Sequence, residues 1–589
     1  MRRDRPFLEP NSLGVNAMAG KTYAIHPALG VARMGNAIVV PDEPTTWYVG
    51  AESPYEVPNK GHPYKIGTQV KKQAQRFRIY EYDNGVATRE ITLQQSDIAA
   101  IEWTVRLANR KAALNTDAAP GSISKPAVVP PPVYGPPPSN GWKPEHGKYA
   151  PAYWPAQTRN EKVTDRQRLV IDSGPTVAGS GPTELAGRIS FSLPNGQTLS
   201  KKVQLGSTLI EGGTGRLLVF GGNGLSEGIV DGAFSPHAVV DEWGNNNGWH
   251  DDTSDGWVQA KISFRDGTVV TLDQPEQRAW VISAAPRYAP WFNNFTTLYD
   301  SAMNAVFPPT KDLPRPSFAR DIYPILRCAS VLTWVSARAA AGHGPGRPAY
   351  YLSQDRLRLV SDNNPSPSSD AWKARNGVFV RVRDPNKSVA VEGIQQFMPQ
   401  VPNELNLTTG REPFDCAVFT KRQYAMLQKW RDGDFDADGI PDYVPLDKLD
   451  VKLQPEAMDR AALEGTTGSP YYPGIESWRI MKPAELFVPG KPLRMRANTQ
   501  VGDLTIGNAL PWQADFLDCN DLWWPIQRPN EVTRNGKPVQ WWVPATWRPN
   551  EDYSDYDMSV TSWWELGFVI SKDNGVTFEE DEGTADYSS

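Results

Sequence analysis

The chain has 589 residues, 61 basic against 67 acidic side chains, a net charge of −6 and a mean hydropathy of −0.50. Charges of both signs are mixed along it, so there is no basic stripe for a nucleic-acid backbone, no polybasic patch for a lipid surface, and no run near the ~20 apolar residues that span a bilayer. Cys328, Cys416 and Cys519 are too few and too scattered for a disulfide framework.

Residues 1–20 read as a loose polar arm, with early arginines but no apolar core of a secretory signal. Synthesis in the cytoplasm without a signal peptide is expected, with export by a non-classical route left open. Residues 21–310 are predicted to form a β-rich lobe. Its strand candidates are TYAIHP, WYVG, FRIYEYD, RISFSL, RLLVFGG, VQAKISFRDGTVVTL and AWVISAAP, several with the apolar–polar alternation of a half-buried antiparallel sheet. Within this lobe, LQQSDIAAIEWTVRLANRKAAL at 93–114 is predicted to be helical. The proline-rich stretch 120–156 can neither propagate a helix nor occupy a central strand, and reads as a spacer. GGNG at 221–224 follows a strand but lacks the third glycine of a nucleotide loop, so a tight turn is the better reading.

Residues 311–589 are predicted to form a helix-containing lobe, with helices at 318–341 and 421–433 and strands at GVFVRVR and WWVPATW. The fold class is therefore mainly β with additional α-helices, a β-rich α+β chain of more than one lobe. The usual nucleotide, zinc and dithiol signatures are absent, and the six histidines are isolated in sequence. DGDFDADGIPD at 432–442 alternates Asp434, Asp436, Asp438 and Asp442 around Gly439, as in loops that turn carboxylates toward Ca²⁺. It lacks the bidentate glutamate at the twelfth loop position, and a solvated acidic turn accounts for it equally well; any calcium here is structural.

The C-terminal segment PWQADFLDCNDLWWPIQRP at 511–529 places Cys519 among tryptophans and acids, and a second tryptophan pair stands in WWELGF at 563–568. A thiol beside an indole allows a thioether crosslink; an aromatic core with a buried free cysteine is the alternative. Ordered motifs decide between them. IHPALGVARMGNA at 25–37, WYVGAESP at 47–54, KKQAQRFRIYEYD at 71–83, NNNGWHDDTSDG at 245–256, AAPRYAP, TTLYD, FARDIYPILR at 318–327, YYPGIE at 471–476, PWQADFLDC with WWPIQRP, and WWELGF follow one another along nearly the whole chain. In this order they resemble the LodA-type cysteine tryptophylquinone (CTQ) amino-acid oxidases, the family of lysine ε-oxidase and glycine oxidase.

The resemblance implies a LodA-like quinoprotein fold and a protein-derived cofactor, cysteine tryptophylquinone. Its crosslinked cysteine would be Cys519 and its quinone precursor Trp563, with Trp564 the one-residue alternative. Asp515, four residues before Cys519, matches the family's active-site aspartate and would act as general base. The implied reaction is oxidative deamination of an amino acid or primary amine by O₂, giving aldehyde or keto acid, ammonia and hydrogen peroxide. A separate maturation flavoprotein is implied as a partner, and a homo-oligomer is expected. The segment ALEGTTGSPYYPGIE lacks the cysteine that relatives carry there, which points to different pocket chemistry. A CTQ dehydrogenase with another electron acceptor, and an inactive β-rich binding module of the same fold, are the alternative readings.

Overall fold

The segment KKQAQRFRIYEYD sets the frame of the molecule. Lys72–Asp83 forms a twelve-residue strand that is buried over most of its length, as expected of a strand paired along both edges. Its C-terminal half pairs with Lys21–His26 and Val86–Ile91, and its N-terminal half with Leu29–Arg33, Trp47–Val49 and Leu217–Gly221. The computed structural model describes residues 20–129, 158–240, 246–310, 313–385, 398, 419–468, 477, 480–514, 526–529, 531–541 and 555–584. The N-terminal arm, most of the proline-rich stretch, Cys416, YYPGIE, Asp515, Cys519 and WWVPATW beyond Trp541 lie outside the described residues.

One 14-stranded sheet dominates. Its main path runs Thr176–Val177, Ile98–Asn109, Ser254–Phe264, Ala279–Ala284, Leu29–Arg33, Lys72–Asp83, Leu217–Gly221, Thr198–Ile210, Thr183–Ser192. The pairings are antiparallel except for Leu29–Arg33 on Ala279–Ala284 and Trp47–Val49 on Lys72–Asp83. The ends of the path approach each other: a Cβ on Gly187 would lie 2.7 Å from the carbonyl oxygen of Asp172, which pairs with Ile98–Asn109, the second strand of the path. The sheet thus curls into a nearly closed barrel, as its accumulated twist allows. Trp103, Val105, Leu107, Leu205, Val219 and Trp280 are all buried within one hydrophobic core.

The helix expected at 93–114 is instead the strand Ile98–Asn109. Ile101, Trp103, Val105 and Leu107 point inward in alternation, and ten register partners along Ser254–Phe264 take up its backbone donors and acceptors. GVFVRVR, expected as a strand, contains the end of the helix Asp370–Phe379. Ala371, Arg375 and Phe379 fall on one buried face at spacing four, and the Ser369 hydroxyl caps the N-terminus by accepting from Trp372 N at 3.1 Å. The helix expected over 318–341 is broken into a π-turn at Phe318–Ile322, helix Tyr323–Val331, a 3₁₀ turn and helix Ala337–His343. The strand expectations before residue 310, and the helix at Lys421–Arg431, agree with the structure.

Every α-helix among the described residues lies at or beyond Leu298. The helix Gln454–Glu464 couples this helical part to the sheet. Its Asp459 accepts from Ala28 N at 2.6 Å and bonds His26 Nδ1 at 2.9 Å. At its C-terminal end, the Gly465 carbonyl accepts from Arg33 at 2.9 Å.

Candidate functional site

The 3₁₀ turn Trp563–Glu565 follows the helix Asp555–Ser562 and leads into the strand Phe568–Ile570. It buries the Trp563 indole and leaves Trp564 half-buried. The Trp563 carbonyl accepts from the Tyr288 hydroxyl at 2.9 Å. Tyr288 comes from AAPRYAP, and its ring packs on Trp541 and Phe568 with centroids at 4.9 and 5.1 Å. The Trp512 ring meets Trp563 edge to face at 5.5 Å, and Trp564 meets it from another side at 5.8 Å. The PWQ and WWELGF segments, half a hundred residues apart in sequence, therefore join in one aromatic cluster.

Three buried aspartates of NNNGWHDDTSDG hold the walls of this cluster. Asp251 accepts from the Trp512 backbone N at 3.0 Å, from Asn109 at 2.8 Å and from Thr253 at 2.9 Å. It also pairs with Lys111, both side chains being 0% exposed. Burial drives the Lys111 ammonium down to about 8, against the pull of Asp251. Asp252 Oδ2 accepts from the backbone N of Asn223 at 2.6 Å and of Leu225 at 3.1 Å, bracing the GGNG turn from below. Burial pushes this carboxyl up to about 7. Lys72, lowered to about 8 by burial, ties the same turn through Asn223 Oδ1 at 2.7 Å and the Gly221 carbonyl at 3.2 Å. Asp255 accepts from Gly502 N at 3.1 Å, from the Trp280 indole at 2.9 Å, and from Thr505 N and hydroxyl at 2.8 Å each; burial raises it to about 6.

Gln513 links the PWQ segment to the turn. Its side chain accepts from Ser226 at 2.7 Å and donates to the Gly224 carbonyl at 3.2 Å. Beyond Ala514 the chain passes out of the described residues with Asp515 and Cys519, and it returns at Ile526. There the Ile526 carbonyl accepts from Ala289 N at 2.8 Å, and Gln527 accepts from Thr467 at 2.8 Å. Both flanks of the cysteine segment are thus buried and hydrogen-bonded.

The acidic residues at 434–442 form a different kind of place. Asp434 faces Lys429 at 3.0 Å and Arg315 at 3.6 Å, Asp436 faces Arg315 at 3.5 Å, and Asp442 is exposed. Asp438 accepts from the Ser317 hydroxyl at 2.5 Å and from Ala319 N at 2.9 Å. The four carboxylates do not converge, and no group of three or more His, Cys, Asp or Glu side chains among the described residues is arranged to hold a metal ion.

Sequence reasoning singled out Trp563, Trp564 and Trp512 and missed Asp251, Asp252, Asp255, Lys72, Lys111 and Tyr288. For Lys72, Asp251 and Asp255 the available signal was a charged residue inside a buried strand, since such residues persist only when paired or hydrogen-bonded.

Two family models match the chain: the L-lysine epsilon oxidase N-terminal model at residues 26–283 and the L-lysine epsilon oxidase C-terminal domain model at residues 402–542. The second match contains Asp515 and Cys519 and stops short of Trp563. The L-lysine 6-oxidase of Marinomonas mediterranea is 26% identical over an alignment 579 positions long, and the match covers 84% of this chain and 71% of that protein. The solved structure of the epsilon-lysine oxidase from the same organism shares the fold, with a TM-score of 0.67 at 21% identity, covering 96% of this chain and 95% of that one. A structure described as the Schiff base intermediate of that oxidase with L-Lys superposes equally well, with a TM-score of 0.67.

Proposed function

Because the chain belongs to the LodA-type L-lysine ε-oxidase family, we propose that it is an amino-acid oxidase working through a cysteine tryptophylquinone built from its own Cys519 and Trp563. The observation that carries this reading is the contact of Trp563 with Trp512 at 5.5 Å, because Trp512 lies only seven positions before Cys519. The residues present suit such a group. Trp563 is buried where Trp564 is half-buried, and its indole lies against a glycine turn that a Cβ would fill.

When formed, the crosslinked quinone supplies an electrophilic carbonyl and a two-electron sink that ordinary side chains lack. In the net reaction, the substrate C–N unit loses two electrons and two protons, one from carbon and one from nitrogen, which O₂ takes up as hydrogen peroxide. Water replaces nitrogen, leaving ammonia and an aldehyde or keto acid. Asp515 is assigned as the base that takes the proton from that carbon, a role worth roughly 10²–10⁴-fold in rate. Tyr288 fixes the Trp563 backbone through its carbonyl, and Asp251 fixes the Trp512 backbone through its N–H. The surrounding tryptophans exclude water, which strengthens polar interactions with a reacting amine. Oxygenation of Trp563 is assigned to a separate flavoprotein using O₂.

The test is co-expression with such a flavoprotein, followed by intact mass, a visible spectrum, peptide mapping and a peroxide assay across amino acids and primary amines. The expected mass is that of the sequence plus two oxygens, less two hydrogens for the thioether and two for oxidation to the quinone, with Cys519 and Trp563 in one crosslinked peptide. A free thiol at Cys519 with unmodified Trp563 and Trp564 would sink the reading. Reduction of dyes without peroxide would identify a dehydrogenase instead.

A further inference from the structure

The GGNG turn, braced by Asp252, touches the Trp563 indole through its last residue. Gly224 has φ +77°, and a Cβ placed on it would overlap Cζ2 of Trp563 while standing 2.8 and 2.9 Å from the ring neighbours Cε2 and Cη2. An approach within the ring plane would hold both neighbours further off than this. The turn therefore lies over the face of the six-membered ring, leaning toward its Cζ2 rim. No solvent or reactant fits between a backbone and a ring packed so closely.

The turn is held in place from three directions. Asp252 takes the N–H groups on either side of Gly224, Lys72 holds the Asn223 side chain, and Gln513 donates to the Gly224 carbonyl. These contacts cannot all persist if Gly224 withdraws, so a side chain there must displace either the turn or the indole.

We infer that Gly224, braced by Asp252, is a positioning residue that closes one face of the Trp563 six-membered ring, so that maturation and amine chemistry both proceed from the opposite face. This rests on the reading of Trp563 as the quinone precursor. A displacement of about 1 Å at reacting groups can cost on the order of 10²-fold in rate, so Gly224→Ala is expected to lower the yield of visible cofactor by roughly that factor.

The experiment uses full-length protein and two readouts. In precursor made without the flavoprotein, thermal unfolding of wild type, Gly224→Ala, Trp563→Phe and the double variant forms a mutant cycle. The loss in Tm caused by Gly224→Ala should shrink when Trp563→Phe removes the distal ring atoms. In co-expressed protein, intact mass should show Gly224→Ala unmodified at Trp563. Gly215→Ala, which introduces similar backbone strain at φ +75° against the Leu93 and Ile101 side chains, should mature normally. An additive cycle overturns the contact, and normal maturation of Gly224→Ala overturns the positioning role. Wild-type protein without modification overturns the quinone reading and the positioning role with it, while the cycle still reports whether the turn lies on the ring.

Discussion

The two aspartate-rich segments of this chain, DDTSD at 251–255 and DFDAD at 434–438, carry the same acid at similar spacing but sit in opposite surroundings. In the first, Asp251, Asp252 and Asp255 are at most 1% exposed, and between them they hold the Trp512, Gly224 and Thr505 segments. In the second, the Asp434 and Asp436 side chains are 52% and 42% exposed and face surface cations. A carboxylate's structural weight is set by desolvation and by the donors that replace water, not by spacing along the chain. The segment whose spacing resembled a metal loop is peripheral, and the one without a recognisable spacing organises the site.

The strongest way to break this comparison is to remove Asp251. Lys111 would be left buried beside the Thr253 hydroxyl at 2.9 Å without its counter-charge, and the Trp512 N–H would lose the Asp251 carboxylate. Breaking a buried pair from one side costs about 3–5 kcal/mol, so Asp251→Ala is expected to lower the denaturant midpoint sharply or abolish soluble expression. A loss below about 1 kcal/mol would place Asp251 with ordinary surface acids.

Asp255 gives a smaller effect with a definite sign. Burial raises its folded pKa from 3.8 to about 6, so the folded protein keeps a proton that the unfolded chain releases above about pH 4. This group's contribution to stability is fully present below about pH 4 and is lost as pH rises toward 6, a change of up to about 3 kcal/mol. Asp255→Asn removes the titration. The stability of wild type minus that of the variant, from denaturant midpoints at several pH values, should therefore fall between pH 4 and 6. A difference that rises over this window would mean that the donors from Gly502, Trp280 and Thr505 outweigh burial.

Much of the sheet was legible because its strands alternate or run apolar between turn signals, as in Ala279–Ala284 and Leu217–Gly221. Ile98–Asn109 misled because Ile98, Ile101 and Val105 also fit helical spacing, and only pairing with the distant Ser254–Phe264 resolves the period. Asp370–Phe379 misled in the opposite sense, its β-branched end outweighing the cap signal at Ser369. In the site, the tryptophan segments were legible as ordered motifs. The roles of Asp251, Asp252 and Asp255 were not, because their donors come from residues 512, 223, 225, 502 and 505, which no local pattern connects to them.

The smallest effects lie in the acidic loop, and they divide it internally. Asp434 is half exposed, so its ion pairs with Lys429 and Arg315 are worth about 0–1 kcal/mol. Asp438 instead accepts from Ser317 and Ala319 N at the start of the π-turn Phe318–Ile322, a capping role worth about 1 kcal/mol. Asp438→Ala should therefore lower the unfolding midpoint more than Asp434→Ala does, although both belong to the same sequence motif. Calcium offers the sharper discrimination. Ligation would require Asp434 and Asp436 to leave Arg315 and turn inward beside Asp438, giving up the bonds that cap the π-turn. Added calcium is accordingly expected to leave Tm unchanged; a rise in Tm that Asp434→Ala removes would show that the loop closes around the ion and that its spacing, after all, carries structural weight.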